Sequence, residues 1–210
     1  MTIDIVKNYE LVKERIARAA IVAGRKPEDI VLVAVSKQAS PEAVAALTAA
    51  GHLDFGENRV QDGLAKVEAI ANPQVRWHLI GRLQTNKIKY ISPFYLIHSL
   101  DRWNLAVKMS EFARRKDMEF QCLVQVNVAD DPAKAGVPLD EVEAIIHEVA
   151  DLGGIGIRGL MTITALHASL EETQAWFKAM AAKFNQLRGQ PAARRAESSL
   201  CRSAATCCPL

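Results

Sequence analysis

Six places in this 210-residue chain join a short apolar run to a small cluster of polar or ionisable residues. The first is VLVAVSK, in which five apolar residues and Ser36 lead to Lys37. A lysine at such a point is either a solvated end of the run or an amine placed for covalent chemistry, the ordinary nucleophile toward a carbonyl. The later clusters are Gly56, Glu57 and Asn58; His78 and Gly81; His98 and Ser99; Asn127; and Met161 with Thr162. His78 taken alone reads equally as a satisfied core histidine, and Met161 as plain packing. As a set, the clusters describe a ring of polar groups around one cleft, which favours the chemical reading of Lys37. No GxSxG elbow, HExxH, phosphate-binding P-loop or paired-carboxylate spacing competes with it. Gly154 and Gly156 form a GxG between a helix and a strand, where a turn accounts for it.

The elements that must position this ring follow from periodicity. Residues 3–24 carry apolar side chains at helical spacing with charges between them. Ser40 and Pro41 have the residue types of an N-cap and a first-turn proline, opening a helix to Gly51. From IVLVAVS onward, apolar strands alternate with helices: HLDFGEN, VRWHLIG, FYLIHSL, FQCLVQVNV and IRGLMTI, the last followed by the amphipathic LEETQAWFKAMAAKFNQL. Strands apolar along their whole length, alternating with helices, indicate a parallel sheet covered by helices. Six such units fit an open doubly wound sheet or a barrel lacking its last two units. The absence of GxGxxG after the first strand weakens a dinucleotide-binding open sheet. In either architecture the catalytic groups belong at the carboxyl ends of the strands, where the ring lies.

Composition narrows the function classes. Half the residues are hydrophobic and 24% charged, as in an ordinary globular domain. Residues 191–210 hold Arg194, Arg195 and Arg202 against Glu197, and subtracting these from the 26 basic and 24 acidic residues leaves 23 of each. A neutral body gives no nucleic-acid footprint. No apolar run approaches the roughly 20 residues of a membrane span, and the charge-rich N-terminus is no secretory signal, so a cytoplasmic location is expected. Cys122 sits in an apolar run and reads as a buried strand residue, whereas Cys201, Cys207 and Cys208 match no metal or redox spacing.

Several stretches resemble the YggS/PROSC family of pyridoxal-phosphate-binding proteins, which act in vitamin B6 homeostasis. They are AVSK (34–37), FGENRVQD (55–62), WHLIGRLQTNK (77–87), IHSLD (97–101), QVNVADDPAKAG (125–136) and RGLMTI (158–163), in the family's order. The resemblance implies a TIM-type (β/α)8 barrel like the N-terminal domain of alanine racemase. It implies pyridoxal 5'-phosphate as cofactor, held as an aldimine by Lys37, with the apolar run behind keeping the amine desolvated and neutral. It also implies Asn58, His78, Ser99 and Met161 as further cofactor-site residues, with pyridoxal-phosphate-dependent apo-enzymes as recipients. Asp131 stands where the family often has glutamate, and Arg59 where tyrosine is common.

The resemblance covers residues 1–188 and ends near Gly189. Family members continue with two more strands whose ends clasp the cofactor phosphate. Residues 189–210 lack those motifs, and an incomplete barrel with a disordered tail is expected. Codon degeneracy permits a shifted reading frame there, since codons for Glu197 to Cys201 read two bases later can give Glu-Leu-Ser-Met.

The function expected is a non-catalytic carrier of the cofactor. A pyridoxal-phosphate racemase is the alternative, and a cofactor-free Schiff-base aldolase a third. A two-base racemase needs a second proton-transfer group on the opposite cofactor face, commonly a tyrosine from another domain. This chain has Tyr9, Tyr90 and Tyr95 and no second domain.

Overall fold

The computed structural model describes residues 4–165 and 167–188, together with the backbone of Ala205 and Thr206. Helix α1 (Ile5–Val22) begins where the Asp4 carboxylate accepts a hydrogen bond from the Lys7 amide, at 3.0 Å. Helix α2 (Pro41–Ala49) is capped as its sequence indicates, the Ser40 hydroxyl accepting from the Ala43 amide with Pro41 in the first turn. The other helices are α3 (Val60–Ile70), α4 (Trp103–Arg115), α5 (Val142–Leu152) and α6 (Leu170–Arg188).

The strands are β1 (Ala34–Val35), β2 (Asp54–Glu57), β3 (Arg76–Leu79), β4 (Leu96–Leu100), β5 (Phe120–Asn127), β6 (Val137–Pro138), β7 (Ile155–Thr162) and β8 (Ala205–Thr206). They run β1-β2-β3-β4-β5-β7-β8, every pair parallel, with β6 added beside β5. Parallel pairing in chain order requires a crossover between neighbours, supplied by α2, α3, α4, α5 and α6 and, between β3 and β4, by the 3-10 helix Thr85–Tyr90. Phe55, Leu79, Ile97, Leu100 and Leu160 from the strands meet Leu105 and Met109 from α4 in one core, each at most 2% exposed. Cys122 is fully buried in β5, and Gly153 and Gly154 make the turn into β7 at φ +72° and +74°.

Three elements differ from the sequence expectation. Strand β1 is only two residues long, although 30–36 is an unbroken apolar run to Ser36. Among the described residues it has a single partner, β2, whose own four residues limit the ladder to Ala34↔Phe55 and Val35↔Gly56. Strand β6 is a two-residue addition held by the loop after β5. Part of the tail expected to be disordered is strand: Ala205 and Thr206 pair with Met161 and Thr162. Ladder hydrogen bonds are made by the backbone, so the free edge of β7 accepts a segment with no strand-like alternation. The other residues of 189–210, where a shifted frame and missing units are expected, lie outside those described. Among the described residues β1 and β8 do not pair, and the sheet is an open path.

Candidate functional site

Ser36, just beyond β1, is anchored at three atoms. Its amide donates to Gly56 O at 3.0 Å, its hydroxyl donates to Glu57 Oε1 at 2.6 Å, and its carbonyl accepts from Lys66 Nζ. Lys66, on α3, also donates to Glu57 Oε1 at 2.6 Å. Glu57 is 0% exposed, so a buried carboxylate and its partner ammonium clamp the residue before Lys37. Lys37 itself is exposed and makes no hydrogen bond or ion pair among the described residues. That corrects the expected desolvation of its amine. Lys37 lies on the turn two positions past the last paired residue of β1, beyond the apolar run that was to bury it.

Asn58 follows β2 and is also exposed. Its place depends on Gly81: a Cβ there would stand 2.1 Å from Asn58 O and 2.7 Å from Asn58 Cα, so only glycine lets the two backbones meet. The Ser99 hydroxyl in turn donates to Gly81 O at 2.7 Å. The ends of β4, β3 and β2 are thereby tied in sequence, and Ser99, 0% exposed, is fully engaged in the tie.

His78 lies in a buried polar chain. Asp54 accepts from Arg76 at 2.7 and 2.5 Å and from His78 Nε2 at 3.0 Å, while His78 Nδ1 meets His98 Nε2 at 2.9 Å. Burial pushes the Asp54 carboxyl up, but the His78 and Arg76 hydrogen bonds and the Arg76 charge outweigh it and hold its pKa at about 2. An ionised Asp54 only accepts, so His78 presents Nε2–H to it. Burial, assisted by the neighbouring His78, depresses the His98 pKa to about 3 and keeps that ring neutral. Its Nδ1 is buried without a hydrogen-bond partner among the described residues. Met161, 0% exposed, is packed in β7 between Gln125 and Ala205 in register.

The structure thus brings Lys37 and Asn58 to the exposed strand ends and sets His78, Ser99 and Met161 in the wall. Asn127 secures the loop after β5, its Nδ2 donating to Asp131 O at 2.8 Å and its Oδ1 accepting from the Asp131 amide at 3.2 Å. On that loop Lys134 has a buried Nζ with no hydrogen-bond partner among the described residues. Sequence reasoning missed Lys66, Asp54 and Arg76. For Lys66 a signal existed, since it stands three residues after Gly63 and four before Ile70 on the sheet-facing stripe of α3.

The model of the alanine racemase N-terminal domain family matches residues 7–209 of this parallel-sheet chain. Alanine racemase of Clostridium difficile shares the fold at a TM-score of 0.68 and 18% identity, over 90% of this chain and 49% of that one. The pyridoxal phosphate homeostasis protein of Escherichia coli (strain K12) is 36% identical over 166 residues, 77% of this chain and 71% of that protein. Its counterpart in Aquifex aeolicus is 36% identical over 180 residues, 85% of this chain and 77% of that one. PipY of Synechococcus elongatus, solved with pyridoxal phosphate bound, superposes at a TM-score of 0.72 with 34% identity, over 86% of this chain and 84% of that one. The chain belongs to the pyridoxal phosphate homeostasis protein family.

Proposed function

We propose that this chain binds pyridoxal 5'-phosphate through Lys37 and holds it for delivery to dependent apo-enzymes, as a carrier without turnover. The observation that carries the reading is the clamp on Ser36, which fixes the backbone before Lys37 while leaving its amine exposed and unpaired among the described residues. The donor set suits the cofactor. Its aldehyde condenses with a primary amine and releases water, and Lys37 offers that amine in the open. Asn58 is exposed at the end of the neighbouring strand, its backbone set in place by Gly81. His78, Ser99 and Met161 support from behind: Ser99 fixes Gly81, His78 and its partners stiffen β3 and β4, and Met161 supplies apolar wall.

An exposed amine is also easily reached by a recipient, which suits a carrier better than an enzyme that must exclude water. Tyr9 packs against His52 and Tyr95 against His78, while Tyr90, beneath Lys89, and Tyr95 keep 42% and 52% of their surface exposed. We read the sheet as the wall of a (β/α)8-type barrel and place the protein in the cytoplasm; among the described residues no helix is long and apolar enough to cross a membrane. Titration of purified protein with pyridoxal phosphate, followed by visible absorbance, tests the proposal. Saturable absorbance, lost in Lys37→Ala, is the expected result. Equal absorbance in the variant would refute it.

A further inference from the structure

A cleft of about 430 Å³, with Asn58 in its lining, opens between the start of α3 and the loop after β3. Four of its nine lining residues, Arg59, Arg82, Lys87 and Arg102, are cationic, and none is acidic. The body of the chain carries equal numbers of acidic and basic residues, so this is a local gathering of charge and no consequence of overall composition.

Two of the cations are held in place. Asp101, buried and outside the lining, accepts from Arg82 Nε at 2.8 Å and from Arg102 Nη1, and Arg102 Nη2 donates to Leu83 O at 3.1 Å. Arg59 and Lys87 form no ion pair among the described residues. Against the four lining cations stand the buried Asp101 and, outside the lining, Asp62 in the first turn of α3, so positive charge is in excess around the cleft. Like charges fixed in a concave surface raise its potential, and only an anion relieves it.

The backbone points the same way. Helix α3 begins at Val60 with no side-chain cap from Arg59, and Val60 and Gln61 line the cleft. Helix α4 begins beside it at Trp103, likewise without a side-chain cap from Arg102. Uncapped amides at a helix start carry partial positive charge and accept an oxyanion. The volume suits a small molecule. Fixed guanidinium forks with free donors suit phosphate oxygens better than a lone carboxylate.

We propose that this cleft is a second anion site, distinct from the amine of Lys37, which takes the phosphate group of a small phosphorylated metabolite or free phosphate. It goes beyond the proposed function and stands whether or not Lys37 holds the cofactor.

The test is calorimetric titration of the full chain with inorganic phosphate, pyrophosphate and glycerol phosphate, against chloride at matched ionic strength. One saturable site per chain is expected for the phosphate compounds and none for chloride; the tightest of them separates free phosphate from a phosphate ester. The double variant Arg59→Ala/Lys87→Ala is expected to weaken binding at least about tenfold, through lost charge-assisted hydrogen bonds. Arg59→Lys/Lys87→Arg, which keeps both charges and guards against a folding defect, retains binding. The exposed pair Lys116→Ala/Lys178→Ala lies off the cleft and leaves affinity unchanged. Lys37→Ala also retains binding. Absence of saturation, equal weakening by the off-cleft pair, or loss of the site in Lys37→Ala would each overturn the proposal, the last by assigning the phosphate to the Lys37 cofactor.

Discussion

Lys66→Met removes the ammonium that neutralises a carboxylate with no exposure to water. Among the described residues Glu57 Oε1 accepts from Ser36 Oγ and Lys66 Nζ at 2.6 Å each, and Oε2 has no hydrogen-bond partner. With an effective dielectric of about 20, charges 2.6 Å apart attract by about 6 kcal/mol before desolvation is subtracted. The net cost of stranding one member of such a pair is smaller, about 3–5 kcal/mol. Methionine has nearly the reach and helix propensity of lysine, so α3 itself is little disturbed. Urea denaturation followed by circular dichroism measures the loss. Glu57→Gln/Lys66→Met removes both charges, and its cost should fall below the sum of the single variants by about 1–3 kcal/mol. Because the same ammonium holds the Ser36 carbonyl, Lys66→Met should also slow the appearance of cofactor absorbance on mixing with pyridoxal phosphate. A Lys66→Met protein within about 1 kcal/mol of the parent, with unchanged kinetics of cofactor uptake, would refute the clamp.

Acid should destabilise the protein in two overlapping steps. The pKa of His98 is depressed from its ordinary 6.5 to about 3, so the unfolded chain takes up its proton first, and stability should fall by up to about 1.4 kcal/mol per pH unit from pH 6.5 downward. Asp54, lowered from 3.8 to about 2, contributes stability present above pH 3.8 and lost as pH falls through 2. Melting temperatures across that range should show both, with His98→Gln flattening the upper step; a profile unchanged in that variant would contradict the assignment. Gly81→Ala should displace Asn58, given the 2.1 Å approach, and weaken cofactor affinity about tenfold, the loss of one hydrogen bond, in an absorbance titration. Unaltered affinity would remove Asn58 from the site. Racemisation of alanine at enzyme-like rates, abolished by Lys37→Ala, is not expected and would contradict the carrier reading.

The alternation of elements was legible because strands buried on both faces are continuous apolar runs: FQCLVQVNV became β5 almost residue for residue. The cap at Ser40 was legible because its chemistry is local. The length of β1 was not, since pairing depends on neighbours far along the chain, and an apolar run with one described partner ladders only where that partner does. The strand ends that gather the site could be read from the polar residues breaking each run. Their directions could not. A strand apolar on both faces leaves no period-two contrast to show which way His78 or Ser99 turns, and their partners, Asp54, His98 and Gly81 O, come from other strands and their loops. Lys66 was obscured for a related reason. A lysine within a helix reads as solvated until the carboxylate it reaches, nine residues earlier at Glu57, is known to be buried.

Reduction of the pyridoxal phosphate complex with borohydride, followed by proteolysis and mass mapping, tests the central claim most directly, because reduction makes the bond to the amine permanent. The chain has other lysines close to the same stretches: Lys134, whose buried Nζ has no partner among the described residues, and Lys87, in the cationic cleft. The clamp at Ser36 and the exposed amine beyond it require the label to fall on Lys37, at one equivalent per chain. A label on Lys134 or Lys87, with Lys37 unmodified, would contradict the account.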